Sequence, residues 1–138
     1  MTVTIADIMQ TSAVIPVLVI EDAALARPLA EALVAGGLRV LEVTLRTGAA
    51  LEAIAEMKKV EGAIVGAGTV VNTRQFGEVM DAGAEFIVSP GLTERLATPI
   101  IESSVPFLPG IANAADIMTG LDLGLTPVSY THLRAHET

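Results

Sequence analysis

Residues 40–68, VLEVTLRTGAALEAIAEMKKVEGAIVGAG, decide the fold. Two short runs rich in Val, Ile and Leu, 40–46 and 63–68, flank a helical stretch over 48–62. A buried strand, a helix and a second buried strand form a β-α-β unit, whose two strands lie parallel. The joints are only a few residues long, as tightly connected β-α pairs require.

The same unit repeats on both sides. Upstream, VIPVLVI (14–20) reads as a continuous β-branched strand buried on both faces. The helix over 22–37 follows, with Leu25, Leu29 and Leu33 at helical spacing, Asp22 as its cap and Gly36–Gly37 at its end. Pro28 predicts a kink in its first turns. Downstream come a helix over 73–84, a strand over 86–91, a helix over 93–104 broken or kinked by Pro99, a strand over 106–111, and a helix over 113–124 capped by Asn113 and stopped by Gly124. Five β-α units in a row imply an α/β fold with a parallel sheet. A doubly wound sheet and a (β/α)8 TIM barrel both satisfy that pattern. The small loops GAGT, SPG and PGI, and the lack of G-x-G-x-x-G at the first helix, favour the barrel. A full barrel needs about 200 residues or more, so 138 residues supply little more than five of its eight units.

Composition narrows the function. The net charge is −8, and Lys58 and Lys59 are the only lysines. Nucleic acid is therefore a poor partner, since phosphate contacts need Lys and Arg. No apolar run reaches the roughly 18 residues of a membrane span, and no signal peptide is visible, so a cytoplasmic protein without a membrane partner is expected. Cysteine is absent, which excludes disulfides and Cys-based zinc sites. Aromatic residues make up only 3 %, leaving the core to Ala, Val, Leu and Ile.

The residues that could carry chemistry sit at strand ends. On a strand over 40–46, Glu42, Thr44 and Arg46 share one face, and Leu41, Val43 and Leu45 take the other. An inward carboxylate and guanidinium near the C-terminal end of a barrel strand mark either a catalytic site or a structural ion pair. VGAGT offers glycines for close backbone approach and the Thr69 hydroxyl. Its other reading is a tight turn, with Thr69 or Asn72 capping the next helix. Pro90 and Pro109 fix φ in turns at strands four and five, while Gly91 and Gly110 relieve crowding. Lys58 and Lys59 read as the solvated end of an amphipathic helix. His132 and His136 stand at i, i+4, but two histidines without a third ligand make no metal site.

The stretches ALVAGGLRVLEVTLRT, AIVGAGTV, FIVSPGLT and VPFLPGI resemble the 2-keto-3-deoxy-6-phosphogluconate (KDPG) and 4-hydroxy-2-oxoglutarate aldolases over residues 5–126. The resemblance implies a class I aldolase of the Entner–Doudoroff pathway. It would cleave the phosphorylated keto-deoxy acid to pyruvate and glyceraldehyde 3-phosphate through a lysine Schiff base, with no metal or other cofactor. Glu42 falls on the family's proton shuttle, Arg46 on the arginine that grips the substrate carboxylate, Thr69 beside the pyruvate moiety and Pro90 on the pocket wall. A keto acid is the implied small-molecule partner, and a homotrimer the implied assembly. The gluconate and galactonate series share these motifs.

The sequence departs from the family at Pro127. The family's sixth strand carries the Schiff-base lysine in a K-F-F-P-A-E signature, and PVSYTHLRAHET (127–138) stands in its place. No lysine lies beyond Lys59, and the later phosphate-binding loops are missing too. The partial barrel domain is therefore expected over 1–126. The tail over 127–138 reads as a translated sequencing scar, such as adapter read-through on a truncated gene copy, against a genuine divergent C-terminus. As it stands the chain is expected to be inactive. The competing reading is a non-catalytic (β/α) fragment that binds another chain.

Overall fold

The computed structural model describes residues 2–126 and the backbone of Thr131–His132. In chain order the elements are α1 (Ile5–Thr11), β1 (Val17–Leu18), a 3-10 turn (Ala23–Leu25), α2 (Ala26–Ala35), β2 (Val40–Thr44), α3 (Ala50–Met57), β3 (Ile64–Gly68), α4 (Thr73–Ala82), β4 (Ile87–Ser89), α5 (Glu94–Glu102), β5 (Phe107–Ile111), α6 (Ala114–Asp122) and β6 (Thr131–His132). All strands are parallel and their spatial order is their chain order. A doubly wound sheet reverses its strand order at a switch point, and this sheet does not. The architecture is a partial (β/α)8 barrel.

Two apolar clusters divide the faces of the sheet. Leu41, Val43, Val65, Ala67 and Ile87 point outward and pack with Ala26, Ala30, Ile54, Met57, Val79 and Ile100 of the helices. Val40, Phe86 and Ile8 meet on the inner side, with Ile15, Ile64 and Val88 against them. Alternation along each strand produces this split. Ile8 belongs to α1, a helix absent from the sequence reading. Its signal was the Thr4-x-x-Asp7 capping box, in which Thr4 N donates to Asp7 at 2.8 Å and Asp7 N to Thr4 Oγ1 at 3.2 Å. By packing on Val40 and Phe86, α1 closes the N-terminal end of the barrel interior.

Several expectations need correction. The first strand spans two residues, not seven, and is not buried on both faces: Val14, Val17 and Val19 are exposed. It is an edge strand, with only β2 beside it. The helical stretch expected over 22–37 starts irregularly, near Pro28. The Asp22-capped 3-10 turn precedes α2, so Pro28 falls in the first helical turn, where no N–H is needed. α5 continues through Pro99. PGI is not a turn, because Pro109 and Gly110 lie inside β5. Gly110 does relieve crowding, since a Cβ there would overlap the Pro90 carbonyl oxygen, but nothing lies near Gly91.

Asn72, Thr93 and Asn113 cap α4, α5 and α6, accepting from Gln75 N, Leu96 N and Asp116 N at 2.9, 3.3 and 3.0 Å. Gly124 follows α6 with φ +78°. Within the tail, Thr131–His132 pairs with Gly110 and Ile111 of β5. A short sixth strand thus lies inside the segment whose sequence breaks the repeat. Among the described residues, no helix is long and apolar enough to cross a membrane.

Candidate active site

The inner face of β2 carries Val40, Glu42 and Thr44 in turn. Val40 is sealed against Ile8 and Phe86, whereas Glu42 is half-buried. Burial pushes the Glu42 carboxyl above its ordinary 4.5, because desolvation disfavours the charged form, and the nearby Arg46 charge opposes that rise. Thr44 is buried and donates from Oγ1 to the Leu18 carbonyl at 3.0 Å. Thr47 Oγ1 makes the equivalent bond to Ile20 O. These hydroxyls tie the end of β1 to β2, so Thr44 is a structural member of that face.

The carboxyl has a defined seat. Glu42 is the register partner of Gly66, and Thr44 that of Gly68. A Cβ on Gly66 would overlap the Phe86 ring. A Cβ on Gly68 would overlap Glu42 Oε1 and stand 2.8 Å from Glu42 Cδ. The side chain of Glu42 therefore leans over Gly68, one step toward the C-terminal mouth.

Arg46 lies beyond the strand predicted to carry it, because β2 stops at Thr44. The last ladder-like bond is Leu45 N to Gly68 O at 3.0 Å, and the chain turns immediately afterwards. The Thr47 hydroxyl anchors that turn. Arg46 projects from it, exposed, and forms no ion pair with Glu42; among the described residues the ion pairs are Arg27–Glu31, Lys59–Glu56 and Arg74–Glu78. A structural Glu–Arg bridge is thereby excluded, although the charge of Arg46 still acts on Glu42.

Thr69 directly follows Gly68, half-buried and with φ +60°. A β-branched residue in the left-handed region costs about 1–3 kcal/mol. Helix capping does not account for it, since Asn72 fills that role. Pro90 follows β4, is exposed, and stacks its carbonyl against Gly110. Ser89, fully buried, donates to Gly91 O at 2.7 Å and fixes the turn. Glu42, Arg46, Thr69 and Pro90 thus lie at the C-terminal ends of three adjacent strands, where barrel enzymes assemble their sites.

Other candidates lie elsewhere. Lys58 and Lys59 are exposed at the C-terminal end of α3, which runs back toward the opposite end of the sheet. Lys59 pairs with Glu56 there. His136 lies outside the described residues, and for His132 only the backbone is described. Among the described residues, no three His, Asp or Glu side chains are grouped to hold a metal ion. A surface cleft of about 620 Å³ lies between Glu21, Asp22, Arg27, Glu52 and Glu56, at the starts of α2 and α3, and none of the four predicted site residues lines it. Sequence reasoning marked the VGAGT glycines for close approach to a ligand but not Gly68 as the seat of Glu42, and it missed Phe86. The signal was the G-x-G spacing on β3, which places both glycines on the inner face opposite Glu42 and Thr44.

The sequential parallel sheet, with a half-buried carboxyl, a guanidinium and a strained threonine at its C-terminal mouth, defines a partial (β/α) barrel. The family model for the KDPG and KHG aldolases matches residues 5–132. The chain belongs to that family. It is 61 % identical over 118 residues to the 2-dehydro-3-deoxy-phosphogluconate aldolase of Zymomonas mobilis, covering 86 % of this chain and 57 % of the relative. A crystal structure of the Zymomonas mobilis enzyme with 3-phosphoglycerate superposes with a TM-score of 0.85 at 60 % identity, over 88 % of this chain and 58 % of that one. The Legionella pneumophila KDPG aldolase, with pyruvate captured as a covalent carbinolamine, gives 0.84 at 43 % identity, over 88 % and 60 %. The chain therefore spans little more than half the length of these relatives.

Proposed function

We propose that the gene encodes a Schiff-base aldolase that cleaves 2-keto-3-deoxy-6-phosphogluconate to pyruvate and glyceraldehyde 3-phosphate. The observation that carries this reading is the seat of Glu42: a carboxyl held half-buried at the barrel mouth, with its proton affinity raised and a cation close by. Such a group holds a proton more readily than a surface carboxylate and can give or take it at the reacting carbon skeleton. Arg46 would grip the keto-acid carboxylate with its guanidinium fork. Thr69 would hydrogen-bond the pyruvate moiety, and Pro90 would wall the pocket. In the Legionella relative, pyruvate forms a covalent carbinolamine. In this reading the protein works in the cytoplasm as a homotrimer.

The 138-residue chain holds no lysine at this mouth, and we read residues 127–138 as a scar in place of the lysine strand. The pairing of Thr131–His132 with β5 is compatible with that reading, because an open sheet edge accepts any extended segment. The distance of Lys58 and Lys59 from the mouth also favours a second reading, a non-catalytic fragment that joins another chain. Borohydride reduction in the presence of pyruvate separates the two. The chain as given should gain no pyruvate mass. A gene product reading on from Leu125 into a lysine-bearing strand should gain one reduced adduct on that lysine. Absence of the adduct in the longer product would leave the binding module.

A further inference from the structure

We propose that Gly68 is a positioning residue for Glu42: the side chain Gly68 lacks is the slot that holds the carboxyl at the barrel mouth. Three observations converge on it. First, Glu42 Oε1 occupies the place a Cβ of residue 68 would take, and Glu42 Cδ and Cγ stand 2.8 and 3.0 Å from it. Second, the neighbouring place on the same strand face is closed, because the Phe86 ring fills the space above Gly66, the register partner of Glu42. Phe86 is buried against Ile8 and Val40, so it cannot yield, and the carboxyl cannot sink further into the barrel. Third, Gly68 itself is buried and the chain leaves the strand at Thr69 with a left-handed φ. The slot therefore has a floor (Phe86) and a back (the Gly68 backbone).

The two glycines perform different tasks. Gly66 makes room for a rigid buried ring, and any side chain there must displace the core. Gly68 makes room for the end of a flexible side chain, which can swing away. A methyl at residue 68 would push the carboxyl out of this seat toward water. Arg46 is the charged group that acts on Glu42. The flanking strands β1 and β3, and β4 beyond, contain no ionisable residue, and Asp7 of α1 is engaged with Thr4. Displacement would restore hydration to Glu42 and lower its proton affinity. The inference deepens the acid–base reading of Glu42 and matters for turnover only if that reading holds. The geometry and its test do not need turnover.

The test follows the Glu42 side-chain carboxyl by carbon-13 NMR titration in the 138-residue chain, alongside thermal unfolding. Gly68→Ala should move the Glu42 midpoint down toward that of an ordinary carboxylate. The same substitution should lower the unfolding temperature less in a Glu42→Ala background than in the parent, because the slot is then empty. An unchanged Glu42 titration, or an equal thermal cost in both backgrounds, overturns the proposal. If Gly68→Ala does not fold alone, folding of the Glu42→Ala/Gly68→Ala pair supports it and failure of the pair overturns it. A Glu42→Gln enzyme with undiminished turnover would remove the acid–base reading and leave this result untouched.

Discussion

Glu42 shows how much of a site one residue's surroundings decide. Its place on the inner face was legible, because alternation along β2 puts it opposite Leu41 and Val43. Its seat was not, because that depends on what two neighbouring strands leave vacant: the Gly66 place goes to Phe86 and the Gly68 place to Glu42. The fold holds the neutral carboxyl better than the charged one, so the folded chain binds the proton more tightly than the unfolded chain. The sign follows from proton linkage. Glu42's contribution to stability is fully present below its ordinary 4.5 and is lost as pH rises through the higher folded-state value. Glu42→Gln, permanently neutral, should therefore match the parent in acid and unfold at a higher temperature at neutral pH. Thermal melts at pH 4 and pH 7 would show this, and equal differences at both would contradict it. In the lysine-bearing gene product the same change should cut turnover by about 10²-fold or more. Gly66→Ala behaves differently. Forcing a methyl against the buried Phe86 ring should cost about 1–3 kcal/mol of overpacking, read as a lower midpoint in urea.

Elements were legible where pattern and end signals coincided. Asn72 and Asn113 cap the helices that spacing assigned, and Gly36–Gly37 and Gly124 stand where α2 and α6 end. The effect of proline depends on its position within the turn: Pro28 sits where no N–H is needed, and Pro99 is carried inside α5 without breaking it. Arg46 was placed one element too early, since nothing local tells that β2 stops at Thr44; just beyond it, Thr47 bonds across to Ile20 O. α1 was missed because seven residues with two inward isoleucines give little periodicity. Yet α1 underpins the site. Ile8 is 1 % exposed and packs under Val40 and Phe86, which form the floor beneath Glu42. Ile8→Ala should cost about 2–5 kcal/mol, and by loosening Phe86 it should also broaden the Glu42 carboxyl resonance. Chemical denaturation and the same NMR observation check both parts. A loss of stability with an unchanged resonance would confine α1 to a structural role.

For the whole molecule, the barrel was preferred over the doubly wound sheet and the strictly sequential strand order bears that out, although GAG and PGI, two of the segments it was read from, lie within β3 and β5. Five units were expected to leave strand edges unpaired; what sequence reading did not show is which side chains line them. β1 has a neighbour on one side only, and Val14, Val17 and Val19 are 59 %, 57 % and 49 % exposed. At the other end of the sheet, α6 leaves Ile117, Met118 and Leu121 uncovered. Relatives in which this chain covers little more than half the length have further chain to set against such surfaces. An unpaired parallel edge with β-branched side chains is a template for another strand. Negative charge opposes association, but a net −8 spread over 138 residues is screened beyond about 8 Å at physiological salt, whereas edge pairing acts at contact. The 138-residue chain should therefore self-associate with rising concentration, more strongly as salt is added. Val17→Lys places a charge on the edge and should shift the population toward monomer, since exposed lysines are a common guard on edge strands. Sedimentation velocity of both proteins over a concentration series decides it: a parent that stays monomeric throughout means the edge is covered from within the chain, and an unchanged distribution for Val17→Lys moves the contact to the α6 face.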